Sequence, residues 1–228
     1  MGVAVAPLEL PAALPCVALL GGTFDPIHNG HVALGRHFQS LLQAEELRVI
    51  PTGIPWQKSG LHASREQRLD MVRLAFEEEN VAIVLDRQEL DRSGVTYTID
   101  TLRAIRAEVG PQVSLVFLIG ADQLQHLDSW HDWRRMFDYA HLGVAARPGF
   151  SLAEYDIPAA VRQEFVTRQA EVALLRATPH GHMYLAKDLA VDISATAIRL
   201  ALQRGERPSS LMAPIVLDYI EQHNLYKN

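Results

Sequence analysis

Two textures alternate along the chain. Short, largely apolar runs at residues 16–20, 46–50, 81–85, 113–119, 141–146 and 183–185 are bounded by turn-forming residues, and each has the length and composition of a strand. Between them, apolar residues recur at helical spacing. Val32, Leu34, Phe38, Leu41 and Leu42 mark a helix over residues 30–44, and Leu69, Met71, Val72, Leu74 and Phe76 mark another, opened by the capping-box pattern Ser64-Arg65-Glu66-Gln67. A third runs to Val109 and is stopped by Gly110-Pro111, residues 151–180 read as helical, and Ile198 and Leu202 line a helix that starts at Ser194. Residues 211–226 read as a closing amphipathic helix. Strands alternating with helices predict an α/β fold built on a doubly wound parallel sheet, with its ligand crevice at the carboxyl ends of the strands. The run at 113–119 is the most continuous, as a central parallel strand should be.

Length and composition narrow the class. With 228 residues, 48% of them hydrophobic, the chain has enough apolar material for one well-packed domain, expected over residues 16–228. Residues 1–15, rich in Ala, Pro and Leu, carry no motif and read as a flexible leader; they lack the basic start of a secretory signal. No apolar run is long enough to span a bilayer, so no membrane partner is expected. The net charge of -6, with no lysine or arginine block, argues against a nucleic-acid partner. The lone Cys16 cannot form an internal disulfide, which fits a reducing, cytoplasmic setting. A homo-oligomer is compatible with the sequence, which does not fix the number of copies.

The chemistry concentrates at one corner. Gly21-Gly22-Thr23-Phe24-Asp25-Pro26-Ile27-His28-Asn29-Gly30-His31 joins the first strand to the first helix. Adjacent glycines at a strand end let the backbone approach a ligand closely, and a helix start favours an anion, so the expected ligand is a phosphate. His28 just before the helix and His31 in its first turn lie where that anion would sit. Either imidazole alone would pass as a helix cap; two of them with Thr23 and two glycines exceed what an apolar core requires.

Other candidates follow down the chain. Lys58, on the loop after the second strand, is either a mobile charge for a triphosphate or a solvated surface lysine. Thr96, Tyr97, Thr98 and Asp100 cluster at a helix start, where they cap the helix or hold a second ligand. Asp122 follows the central strand and is placed to meet ribose hydroxyls or a metal, with helix capping as the alternative. Trp130 and Trp133, three apart, are expected to share a helical face in the core or in a lid. Ser194, Thr196 and Arg199 make a second anion site at a helix start, suited to β- and γ-phosphates, or else a plain cap with a surface arginine.

On these residues the sequence resembles the nucleotidylyltransferase superfamily, marked by a Gly-Thr-Phe-Asp-Pro turn followed by His-x-Gly-His. The run Thr96-Tyr97-Thr98 to Leu102 and the element Trp130-His131-Asp132-Trp133 are similar to those of bacterial nicotinate-mononucleotide adenylyltransferases. The resemblance implies a Rossmann-like nucleotidylyltransferase fold and adenylyl transfer from ATP to nicotinate mononucleotide in NAD biosynthesis. It implies that Gly22, Thr23, Phe24, His28, His31, Lys58, Ser194, Thr196 and Arg199 bind ATP, with His28, His31, Lys58 and Arg199 catalytic. Tyr97, Thr98, Asp122, Trp130 and His131 are then expected at the mononucleotide, Trp130 stacking on the pyridine ring and the His131 amide meeting its carboxylate. Mg²⁺ is expected to bind mainly through the phosphates, and at least one histidine to be protonated with ATP bound. Two departures stand out: Pro55-Trp56-Gln57-Lys58 replaces the family's Pro-Pro-His-Lys, and Ala195 replaces a serine of Ile-Ser-Ser-Thr-x-Ile-Arg. A pantetheine-phosphate or cytidylyl transferase, or a nucleotide sensor without catalysis, are the competing readings.

Overall fold

The computed structural model describes residues 12–55, 61–146, 156–187, 189 and 193–227. From the amino end run β1 (Cys16–Gly22), α1 (Asn29–Leu42), β2 (Glu46–Pro51), β3 (Ile54–Pro55), α2 (Arg65–Glu78), β4 (Val84–Leu85), α3 (Gln88–Asp91) and β5 (Val95–Thr96). Then come α4 (Thr98–Val109), β6 (Ser114–Gly120), β7 (His141–Ala145), α5 (Ala159–Arg168), α6 (Val172–Ala177), β8 (Met183–Ala186), α7 (Ala195–Gln203) and α8 (Pro214–Gln222). Short 3-10 turns occupy Ala121–Gln125, Leu127–Ser129 and Trp133–Asp138.

Six strands pair in the order β4-β2-β1-β6-β7-β8, every pair parallel. The chain winds outward from β1 to one edge, then returns to β6 and winds to the other, so the switch point lies between β1 and β6. Register sets Gly22 beside Pro51 and Leu20 beside Leu118, which gathers the carboxyl ends of β1, β2 and β6 into one crevice. This is the doubly wound sheet the alternating pattern predicts. Both faces of the sheet are buried: Cys16, Ala18, Leu20, Val116 and Leu118 pack with α1, α2 and α8, while Val17, Leu19, Leu115, Phe117 and Ile119 pack with α4 and the 3-10 turns. That two-sided burial is why both strands read as unbroken apolar runs.

At the opposite end of the sheet, Arg106 staples the connections. Its guanidinium donates to the carbonyls of Tyr139, Pro179, Gly110 and Val113 at 2.7–3.0 Å. Ahead of β1, Leu14 N–H donates to the Arg176 carbonyl at 2.7 Å; most of the expected leader, residues 1–11, lies outside the described residues. No helix among the described residues is long and apolar enough to cross a membrane.

Several boundaries differ from expectation. The strand expected over 81–85 shrinks to Val84–Leu85, because Val81 N–H goes back to the Phe76 carbonyl of α2 and only two residues reach the sheet edge. The two-residue strands β3 and β5 form a separate parallel ladder, too short to leave a periodicity in the sequence. The closing helix is only Pro214–Gln222: proline starts it and the chain leaves it before Leu225 and Tyr226, which turn inward.

A buried histidine on β7 makes the fold acid-sensitive. His141 accepts the His182 N–H on Nδ1 at 3.1 Å and pairs through Nε2 with the Thr178 carbonyl at 2.8 Å, so its neutral form alone satisfies both partners. Burial lowers its pKa from 6.5 to about 4. Between those values the unfolded chain binds a proton that the native state refuses. Its contribution to stability is therefore complete above pH 6.5 and is lost as pH falls toward 4. In urea titrations, His141→Gln is expected to lose about 2 kcal/mol less stability than the wild type between pH 7 and pH 4.5. Equal losses would place the acid sensitivity elsewhere.

Candidate functional site

At the crevice, β1 gives way to the turn that leads into α1. A Cβ on Gly22 would lie 2.9 Å from the Phe24 ring and one on Gly21 would lie 3.0 Å from Phe117, so packing alone requires glycine at both positions. Phe24 is fully buried with φ +48, a left-handed conformation unusual for an aromatic residue, and its ring meets His31 edge-on at 5.0 Å. His28 is the N-cap residue of α1, and its backbone N–H donates to His31 Nδ1 at 3.2 Å. The two imidazoles stack, 3.7 Å between centroids.

That geometry bears on protonation. Burial pulls the His28 pKa down to about 4, so this ring is neutral near pH 7 in the ligand-free protein. His31 uses Nδ1 as an acceptor and can donate only through Nε2. Charging both stacked rings at once would set like charges face to face.

The second expected anion site is tied directly to the first. Ser194 caps α7 by accepting the Ala197 N–H at 3.4 Å, and Thr196 Oγ1 accepts from Arg199 at 3.1 Å. Arg199 also donates to the Asp25 carbonyl at 2.7 Å, joining residues 174 positions apart. Thr196 and Arg199 thus stand against the turn that carries His28 and His31. Lys58, with Trp56 and Gln57, lies outside the described residues.

The third group gathers on the other side of β1. Tyr97 is the N-cap residue of α4, without a capping side chain, and its ring lies 4.6 Å from His131. Thr98 opens α4, whereas Thr96 belongs to β5 and Asp100 pairs with Arg103, so the hydroxyl capping expected there does not form. Trp130 sits in an extended residue between two 3-10 turns, its ring 6.3 Å from Phe117 and its Nε1 buried without a partner. Trp133 instead enters the core, so the two tryptophans do not share a helical face; left-handed Asp132 separates them. Asp122 is exposed at the end of β6 and accepts from Gln123 at 2.7 Å. Phe117 touches both Trp130 and the Gly21 position, linking this group to the first turn.

Sequence reasoning missed the residues that hold the turn from behind. Arg68, fully buried on α2, donates to the Thr23 carbonyl at 2.7 Å. Asp25, also buried, accepts the N–H groups of His62 at 2.8 Å and Ala63 at 3.1 Å, and the Tyr226 hydroxyl at 2.7 Å. Away from the turn, buried Glu89 accepts from Thr101 at 2.7 Å, and burial raises its pKa. An arginine on a helix face otherwise turned to the core was the one available signal for Arg68.

A doubly wound parallel sheet carries the glycine turn and its two imidazoles at the switch point, and the cytidylyltransferase-like family model matches residues 19–201, which places the chain in the cytidylyltransferase-like class. A protein of Herminiimonas arsenicoxydans named "Probable nicotinate-nucleotide adenylyltransferase" is 61% identical over 93% of this chain and 97% of its own. One of the same name from Laribacter hongkongensis is 44% identical over 94% and 97%. The chain belongs to the nicotinate-nucleotide adenylyltransferase family. Among solved structures, Plasmodium falciparum nicotinic acid mononucleotide adenylyltransferase complexed with NaAD shares the fold, with a TM-score of 0.69 at 20% identity over 93% of this chain and 97% of that one.

The packing behind the turn gives a direct test. Gly22→Ala would press a methyl group into the Phe24 ring and is expected to cost about 1–3 kcal/mol in urea denaturation. An unchanged midpoint would mean that the turn relaxes freely.

Proposed function

We infer that the protein transfers the adenylyl group of ATP to nicotinate mononucleotide, giving deamido-NAD and pyrophosphate in NAD biosynthesis. The observation that carries this reading is the bond from Arg199 to the Asp25 carbonyl, which sets a helix-start arginine against a glycine turn bearing two imidazoles. Family membership supplies the acceptor. An oxygen of the mononucleotide phosphate attacks the α-phosphorus of ATP, the new P–O–P linkage forms, and the α–β bridge breaks with its electron pair leaving on pyrophosphate. No side-chain nucleophile is required. The protein's work is to align two anions and to stabilise the charge that grows on the leaving group.

In this reading the backbone at Gly22, Thr23 and Phe24 gives the phosphates close access, while His28 and His31 donate to them from the start of α1. Ser194, Thr196 and Arg199 take the β- and γ-phosphates, with Lys58 as a further cation. Tyr97, Thr98, Asp122, Trp130 and His131 receive the mononucleotide, Trp130 against the pyridine ring. ATP enters as its magnesium complex. In this reading the Mg²⁺ is held mainly by phosphate oxygens and water.

With ATP and Mg²⁺, pyrophosphate release is expected with nicotinate mononucleotide and absent with pantetheine phosphate; release with the second acceptor alone would overturn the assignment. His31→Ala removes one preorganised donor and is expected to lower kcat by about two to three decades, with KM little changed. Near-normal turnover would exclude His31 from the transition state.

A further inference from the structure

Tyr226 lies 201 positions from the first turn, yet its hydroxyl donates to Asp25 Oδ1 at 2.7 Å in a setting where both residues are buried. The chain is shaped to bring it there. After α8, Asn224 and Tyr226 both take left-handed φ values of +50 and +59, Leu225 N–H returns to the Ile220 carbonyl at 3.0 Å, and Leu225 is buried in the core. Two non-glycine residues in that conformation within three positions are a local cost met by the contacts they make. The Asp25 carboxylate has about four lone-pair sites. Two are taken by the His62 and Ala63 N–H groups and one by Tyr226, with the His62 ring nitrogen 3.5 Å away. Its main-chain carbonyl holds Arg199.

We propose that Tyr226 is a positioning residue for adenylyl transfer: by pinning the Asp25 carboxylate it fixes the adjacent carbonyl that aims Arg199 at the phosphates. The proposal rests on the reading of Arg199 above. With only 4% of Asp25 exposed, water does not replace a lost donor, and a buried carboxylate short of a partner shifts toward another. Movement of Asp25 carries its peptide carbonyl with it, and Arg199 follows. Burial and the facing carboxylate both push the Tyr226 pKa up, so the hydroxyl keeps the proton it donates.

Tyr226→Phe removes one oxygen and keeps the ring. In the full-length protein, with ATP and nicotinate mononucleotide, kcat is expected to fall about tenfold while KM for the mononucleotide stays within about twofold. In an Arg199→Lys background the same substitution is expected to change kcat by less than about twofold, because the group it acts through is gone. Tyr219→Phe is the control: it deletes a tyrosine hydroxyl on α8 that donates to Asp70 at 3.0 Å, and kcat is expected to stay at the wild-type value. Wild-type kcat in Tyr226→Phe, an undiminished loss in the Arg199→Lys background, or an equal loss in Tyr219→Phe would each overturn the proposal. Turnover by the wild type reports separately on the reaction. Should it be absent, the Kd for ATP replaces kcat, and the same dependence of Tyr226→Phe on Arg199 decides.

Discussion

Two arginines on the carbonyls of one turn are the constraint from which the site follows. Irregular backbone is stable inside a protein only when its polar groups are paired. Here Arg68 takes the Thr23 carbonyl from α2 and Arg199 takes the Asp25 carbonyl from α7. The Asp25 carboxylate turns inward to meet His62, Ala63 and Tyr226. With its rear polar groups satisfied by four separate segments, the turn from β1 to α1 is held in one shape, with His28 and His31 where it enters α1.

That arrangement carries costs that a purely structural turn would avoid. Phe24 is held left-handed, Arg68 is buried with Nε and Nη2 unpartnered, and His28 is buried as a neutral imidazole. Burial lowers the Arg68 pKa, the nearby Asp25 opposing it, and the exchange is a buried cation beside a buried anion in the wall of the crevice. Such concentrations of strain and desolvation belong at sites where geometry must be fixed before the ligand arrives. A reaction with no protein nucleophile depends on that prior alignment more than most, because positioning and charge stabilisation are nearly all the protein contributes.

The sheet topology then decides what meets at the crevice. Because β1 and β6 are neighbours at the switch point, Phe117 of β6 reaches both the Gly21 position and Trp130, and links the aromatic group of Tyr97, His131 and Trp130 to the first turn. The two halves of the site are therefore spaced by one strand pair, a separation fixed by the hydrogen-bonded ladder itself. Loops can vary around it without changing that distance.

The sequence alone determined the parallel sheet, since strands buried on both faces must be apolar at most positions and the helices between them must carry one apolar stripe. It also determined the first turn and the start of α7, because glycines, paired imidazoles and capping hydroxyls are local signals whose spacing needs no tertiary context. Only the tertiary structure decided how those two places meet. The bond from Arg199 to Asp25, the burial of Arg68 and the return of Tyr226 join residues that are far apart in the chain, and nothing in the local pattern of any of them encodes the partner. The same reason explains the tryptophans: their spacing suggested one helical face, but a left-handed Asp132 between two 3-10 turns sends Trp133 into the core and leaves Trp130 at the crevice, a choice made by packing rather than by periodicity.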